Sequence, residues 1–258
     1  MLPFFKIGSI LIPSYAICIG LGLVTLYLIS LRNARYFNLS AEDHFYCLIL
    51  AAVGAFIGAK LLYIITVFPV LEFDFQDAFK IRQLLTDLFR YGLVIYGGII
   101  GGMIVIRSYC KKYKLNGDKY LAAYAVAMPF AQAWGRLGCL LAGCCYGFPY
   151  TGPGAIAHQG FNQPVPIMRF PTQAVWLLGN VLFGVFLLLY MKLIGRRRNA
   201  AGRLIAAYVL GYALLRFIGE YMRGDLVRGI YGPLSQAQWL SILFFCYGIY
   251  LSIKARRS

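Results

Sequence analysis

Two arginines stand where lipid, not water, should surround the chain. Arg136 lies in the apolar run Trp134-Gly135-Arg136-Leu137-Gly138-Cys139, and Arg216 lies in a second apolar run from Tyr212 to Arg223. A cation at membrane depth costs about 3 kcal/mol on insertion scales and roughly several times that in simulations, so such groups face a cavity and mark a function. The planar guanidinium fork matches phosphate, which points to a phospholipid head group as ligand. On a helix, Tyr212, Arg216, Glu220 and Arg223 fall within roughly 80° of one another and form one polar stripe. Arg216 and Glu220 are four residues apart, a pairing that reduces the cost of burying either charge. An ion pair alone would serve to hold a bundle together, but Arg223 and Arg136 leave excess positive charge and favour an anion site.

Other residues offer weaker chemistry. Lys60 sits in Gly54-Ala55-Phe56-Ile57-Gly58-Ala59-Lys60, where small residues four apart allow close helix approach. Its ammonium must either snorkel or face the same cavity. Cys139, Cys144 and Cys145 follow a C-x4-C-C spacing, unlike the C-x2-C of zinc sites or the C-x-x-C of thioredoxin-like redox motifs. On a continuous helix an offset of five puts Cys139 and Cys144 on different faces, so the expectation is packing cysteines and no metal or other cofactor. An oxidisable pair at the outer membrane face stays open. Of the two histidines, His44 follows Glu42 and Asp43 and reads as a solvated interfacial residue, while His158 lies in a loop with no mapped partner.

The elements that must position these groups are membrane helices. Of 258 residues 60% are hydrophobic and 13% charged, too apolar for a soluble domain of this length. Apolar stretches of spanning length recur near 11 to 31, 46 to 68, 91 to 109, 119 to 145, 171 to 194, 203 to 223 and 236 to 253. The expected fold is therefore an all-α polytopic membrane protein of seven transmembrane helices, one membrane-embedded domain over residues 1–258. The third stretch is the weakest, because Tyr96-Gly97-Gly98-Ile99-Ile100-Gly101-Gly102 would tolerate irregular backbone where protein covers it. Alternate connections carry fifteen and seven basic residues, which places the amino terminus outside and the carboxyl terminus in the cytoplasm. The net charge of +16 is then a topology signal and an attraction to anionic lipid, spread over four segments in a way that excludes a nucleic-acid stripe. The first span lacks a basic start and a small-residue cleavage site, so it should remain as a helix.

Two long connections fall on the outer face. Residues 69 to 90 place Phe75, Phe79, Leu85 and Phe89 at helical intervals among charges, the pattern of a helix lying in the outer interface or a lid on the bundle. Residues 146 to 170 are rich in proline and glycine and read as an ordered outer loop without regular structure.

With these residues in place, the chain resembles the prolipoprotein diacylglyceryl transferase family along nearly its whole length. Gly58-Ala59-Lys60-Leu61 resembles the family's G-A-R-L, with lysine for arginine. Gly92 to Gly98 resembles its H-G-G segment, with Tyr96 where the family has histidine. Gly135-Arg136-Leu137-Gly138 matches G-R-x-G, and Pro171-Thr172-Gln173 matches P-x-Q. Tyr212, Arg216, Phe217, Glu220 and Arg223 match Y-x-x-x-R-F-x-x-E-x-x-R, and Leu234 to Ser241 resembles L-S-x-x-Q-x-L-S. The chain departs after G-R-x-G, where the family continues N-F-x-N-G-E and this chain has Cys139-Leu140-Leu141-Ala142-Gly143-Cys144.

The resemblance implies a multi-pass enzyme of the bacterial plasma membrane, with its site toward the outer leaflet. It implies transfer of a diacylglyceryl group from phosphatidylglycerol to the lipobox cysteine thiol of a preprolipoprotein, releasing glycerol phosphate. Arg136, Arg216, Tyr96, Tyr212 and Glu220 would then be catalytic. Lys60, Tyr15, Gly97, Gly98, Gly135, Gly138, Cys139, Gly147 and Arg223 would bind substrate. The expected partners are phosphatidylglycerol, the preprolipoprotein and the bilayer. Because the histidine and two asparagines are replaced, transfer to a different acceptor and a non-catalytic lipid-binding or lipid-moving protein are alternatives; a weaker one is a thiol-redox protein using Cys144 and Cys145.

Overall fold

The computed structural model describes residues 3–7, 10–67, 93–158, 166–195, 199–224 and 230–257. Among them are seven α-helices: α1 Ser14–Tyr36, α2 Ala41–Val67, α3 Ile95–Lys112, α4 Gly117–Ala142, α5 Thr172–Ile194, α6 Ala200–Glu220 and α7 Gln236–Arg257. Three antiparallel strand pairs accompany them: β1 Phe4–Ile7 with β2 Ile10–Pro13, β3 Ile156–His158 with β4 Ile167–Arg169, and β5 Ile230–Tyr231 with β6 Leu234–Ser235. Five helices are long and apolar enough to cross a membrane, namely α1, α2 over Ala41–Thr66, α5, α6 and α7. In α3 the cations Arg107, Lys111 and Lys112 dilute the apolar run, and in α4 Gln132 and Arg136 do so. Leu182, Phe186, Leu189 and Leu193 form an exposed stripe along α5, the inverse of a water-soluble helix and suited to lipid.

The chain divides into two compact units, residues 39–121 and residues 1–38 with 122–258. In the first, α2 and α3 meet through glycine. A Cβ on Gly58 would land on the carbonyl oxygen of Gly97, one on Gly97 would land on that of Gly58, and one on Gly101 would land on that of Gly54. With no hydrophobic drive between helices in lipid, this backbone-to-backbone approach supplies the packing. The segment 96–102 is thus regular helix, not the irregular backbone its glycines allowed; the glycines serve the helix contact. At the other end of the pair, Tyr109 Oη donates to Asp43 Oδ1 at 3.0 Å. His44, expected to be solvated, is completely buried in α2, one turn past the helix start.

In the second unit, polar side chains join helices where lipid offers no competing partner. Asn33 Nδ2 of α1 donates to Ala123 O of α4 at 3.2 Å, Trp134 Nε1 of α4 to Thr25 Oγ1 of α1 at 2.9 Å, and Gln132 Nε2 of α4 to Tyr208 Oη of α6 at 3.1 Å. Aromatic rings fill the notches left by glycines: Phe130 against Gly184, Phe183 against Gly211, and Trp176 against Gly219. Helix α7 begins with a reciprocal cap, Ser235 N donating to Gln238 Oε1 at 2.9 Å and Gln238 N to Ser235 Oγ at 3.3 Å. That cap is the physical content of the L-S-x-x-Q motif.

The connection at 146–170 carries regular structure after all. Ile156 pairs with Arg169 and His158 with Ile167, while Tyr150 N donates to Met168 O at 2.9 Å and Phe170 N to Phe148 O at 3.0 Å. Short strands satisfy backbone groups there that prolines and glycines concealed in the sequence pattern. The amphipathic segment expected at 69 to 90 lies outside the described residues.

We expect Gly58→Val to destabilise the protein by at least about 2 kcal/mol, since the new side chain must push α3 away. Gly20→Val, on an exposed face of α1 with nothing within 4 Å, should change stability by less than about 0.5 kcal/mol. Thermal unfolding of both variants in the same detergent checks this; equal stabilities would mean that the α2–α3 contact is not tight.

Candidate active site

Three guanidiniums converge at one end of the second unit. Arg136 projects near the carboxyl end of α4, Arg216 near that of α6, and Arg223 from the turn that follows α6. Trp176, in the second turn of α5, lies against two of them. Its ring lies 4.7 Å from the Arg136 guanidinium carbon and 5.6 Å from that of Arg216. One indole therefore serves two cations, and their separation cannot exceed the sum of those distances. A ring quadrupole attracts cations without neutralising them, so the charge stays available to a ligand.

Trp176 reaches this position because residue 219 has no side chain: a Cβ there would overlap the indole at Cζ2 and Cε2. Neighbouring Glu220 is the counter-charge. Its Oε2 lies 2.9 Å from Arg216 Nη1 and 3.6 Å from Arg223 Nη1, and both Glu220 and Arg216 are buried. The helix ends at Glu220, one turn earlier than the polar stripe implied, yet Arg223 still reaches back because its amide donates to Glu220 O at 3.3 Å. Arg136 has no carboxylate within ion-pair distance among the described residues. Tyr212 is buried one turn before Arg216 and stacks on Tyr208 with ring centroids 6.0 Å apart.

The backbone around this cluster is clamped by groups the sequence had not singled out for it. Arg169 is buried, lies over the Tyr146 ring at 4.2 Å and donates from Nη1 to Gly147 O at 3.2 Å. Gly147 bridges to Arg223 on one side, and on the other a Cβ would strike Phe170 O and Thr172 Oγ1. Gly224 N donates to Tyr146 O at 2.9 Å, and Thr172 Oγ1 to Met222 O at 2.8 Å. The segment after α4, the start of α5 and the turn after α6 are thus tied together. His158 belongs to this clamp: its Nε2 lies 2.6 Å from Gly143 O, and its ring packs on Tyr146 with centroids 4.2 Å apart. A ring nitrogen bonded to a carbonyl must carry the proton, which suits a staple better than a general base.

The remaining sequence candidates divide. Gly138 lets α1 lean on α4, since a Cβ would come within 2.9 Å of Tyr15 Cδ2, and Tyr15 lies within electrostatic reach of Arg136. Gly135, beside Arg136, faces open space among the described residues. Cys139 is buried one turn beyond Arg136. Lys60, Tyr96, Gly97 and Gly98 belong to the other unit. There Lys60 Nζ lies 5.3 Å from the Tyr63 ring, Tyr96 is buried at the start of α3, and the two glycines face α2. Trp176 and Arg169 were missed. A tryptophan in an apolar span reads as lipid-facing, and only Gly219 beside Glu220 hints at the notch that receives it.

Known proteins share this layout in sequence. A family profile described as Prolipoprotein diacylglyceryl transferase matches residues 3–254. A protein of Clostridium tetani named phosphatidylglycerol–prolipoprotein diacylglyceryl transferase is 33% identical over 248 residues, 96% of this chain and 94% of its own length. Its counterpart numbered 2 in Clostridium perfringens is 33% identical over 95% of this chain and 92% of its own. The Finegoldia magna protein of the same name is 32% identical over 98% and 95%.

Removing the counter-charge should be costly. Glu220→Ala leaves Arg216 buried without its carboxylate, with an expected loss of about 3–5 kcal/mol, whereas the double variant Arg216→Met with Glu220→Leu should recover much of it. Thermal unfolding of wild type, single and double variants makes the comparison. A loss below about 1 kcal/mol in Glu220→Ala would mean that the pair is solvated.

Proposed function

The chain belongs to the prolipoprotein diacylglyceryl transferase family, and from that premise we propose how its residues carry out the transfer. The protein is a bacterial membrane enzyme that passes a diacylglyceryl group from phosphatidylglycerol to prolipoprotein. Arg136 and Arg216, both against the Trp176 ring, hold the phosphodiester, and Glu220 fixes Arg216 and Arg223 in place. The acceptor thiolate of the lipobox cysteine attacks the glyceryl carbon. A carbon–sulfur bond forms, the carbon–oxygen bond to phosphate breaks, and the thiol proton passes to solvent or to the released glycerol phosphate. Negative charge grows on the leaving phosphate, where fixed guanidiniums stabilise it without reorganising. Tyr212 completes the polar stripe toward the head group.

The observation that carries this reading is the Trp176 indole shared by two arginines. Two cations stand together, and Arg136 has no described counter-charge, so a bound phosphate would relieve their mutual repulsion. Seven spans in one membrane-embedded domain and an external amino terminus complete the proposed arrangement. Under that orientation the ends of α4 and α6 and the start of α5 lie toward the outer leaflet, where an exported acceptor would arrive. The basic connection between α5 and α6, with Lys192 and Arg203, lies at the opposite end.

Labelled phosphatidylglycerol with a lipobox peptide tests the reading, because only an enzyme releases glycerol phosphate. Arg136→Ala and Arg216→Ala should each lower turnover about a hundredfold or more, as loss of a charge-stabilising donor does. Bound lipid without any glycerol phosphate from the wild type would favour a non-catalytic lipid carrier. For Tyr96→Phe we expect about a fivefold loss, the worth of one neutral hydrogen bond. A drop of about a hundredfold, with loss of an alkaline limb seen in wild type, would make Tyr96 the general base instead.

A further inference from the structure

Three thiols that the sequence spreads over seven positions meet at the end of α4. The helix stops at Ala142, and the chain turns back through two left-handed residues, Gly143 at φ +73° and Cys145 at φ +56°. Cys144 N donates to Cys139 O at 3.1 Å, closing the turn. The expectation that Cys139 and Cys144 lie on different faces fails because it assumed a helix continuing through both. Instead the Sγ atoms of Cys139, Cys144 and Cys145 all lie within 4.8 Å of one another.

The turn is held from outside as well. Gln173 Nε2 donates to Cys144 O at 2.8 Å, and His158 Nε2 holds Gly143 O at 2.6 Å. Cys139 is buried, Cys145 half-buried and Cys144 exposed, which gives a ligand set with an entrance.

We propose that Cys139, Cys144 and Cys145 form a binding site for one thiophilic monovalent cation, Cu(I), held by three thiolates. A metal–sulfur bond of about 2.3 Å requires three coplanar sulfurs about 4 Å apart, a contraction of less than about 1 Å from the observed limit. Soft thiolates select such ions. Tetrahedral zinc needs a fourth ligand, and among the described residues no further histidine, cysteine or carboxylate joins the group. Each sulfur–metal bond forms as the thiol proton leaves to solvent, with no change of oxidation state. The ion balances one of the three thiolate charges, and the exposed side at Cys144 leaves the rest open to solvent. The proposal stands apart from the transfer reading and does not depend on it.

Anaerobic titration of the reduced full chain with Cu(I), in competition with bicinchoninate, tests it. To silence other thiols, Cys18, Cys47, Cys110 and Cys246 are first replaced by serine. One ion per chain is expected, and Cys144→Ser or Cys145→Ser should weaken binding at least about a hundredfold. In the unsubstituted chain, Cu(I) should protect Cys139, Cys144 and Cys145 from N-ethylmaleimide as read by mass spectrometry, a measurement that no serine variant can spoil by misfolding. Absence of uptake after reduction, uptake unchanged by both serine variants, protection confined to other cysteines, or preference for Zn2+ over Cu(I) would each overturn the assignment.

Discussion

The buried pair of Arg216 and Glu220 is the constraint around which one end of the molecule is built. A guanidinium in apolar surroundings is tolerable only when a carboxylate, a ring face or a ligand meets it. Glu220 meets two arginines from one side, and Trp176 meets two from another. Gly219 makes both possible, since the residue before the carboxylate must leave room for the indole. Arg136 is met by the ring alone, with no carboxylate at ion-pair distance among the described residues.

Helix contact in this protein rests on the absence of side chains as much as on their presence. Lipid is as apolar as leucine, so burying aliphatic groups between helices gains little. In the unit of residues 39–121, glycine faces glycine and backbones touch. In the other unit, glycine faces phenylalanine or tryptophan, and a few side-chain hydrogen bonds between α1, α4 and α6 add direction. The first arrangement draws two helices together; the second positions rings, one of which became part of the arginine cluster.

The segment after Arg136 differs from the motif of the family the chain resembles, and its local structure is particular. There the chain carries Cys139, Cys144 and Cys145, and the left-handed turn gathers the three thiols. The same turn is pinned by Gln173 and His158, and the segment that follows is clamped at Gly147 by Arg169. The thiols and the guanidiniums therefore share one supporting framework, although they would bind ions of opposite charge.

Composition and periodicity determined the class of molecule: long apolar runs with few charges can only be helices in lipid, because any other backbone would leave its polar groups unpaired there. Motif spacing alone also marked Arg136, Arg216 and Glu220, since charges inside such runs are too costly to be accidental, and the pairing of Arg216 with Glu220 follows from a helical turn. Local pattern could not reach contacts between distant segments. That Trp176 meets two arginines, that Arg169 clamps Gly147, and that residues 96–102 use their glycines to touch α2 depend on neighbours far away in sequence. The three cysteines show the limit most directly. Their meeting required the helix to end at Ala142 and reverse its hand, an outcome fixed by hydrogen bonds from Gln173 and His158 that no spacing rule contains.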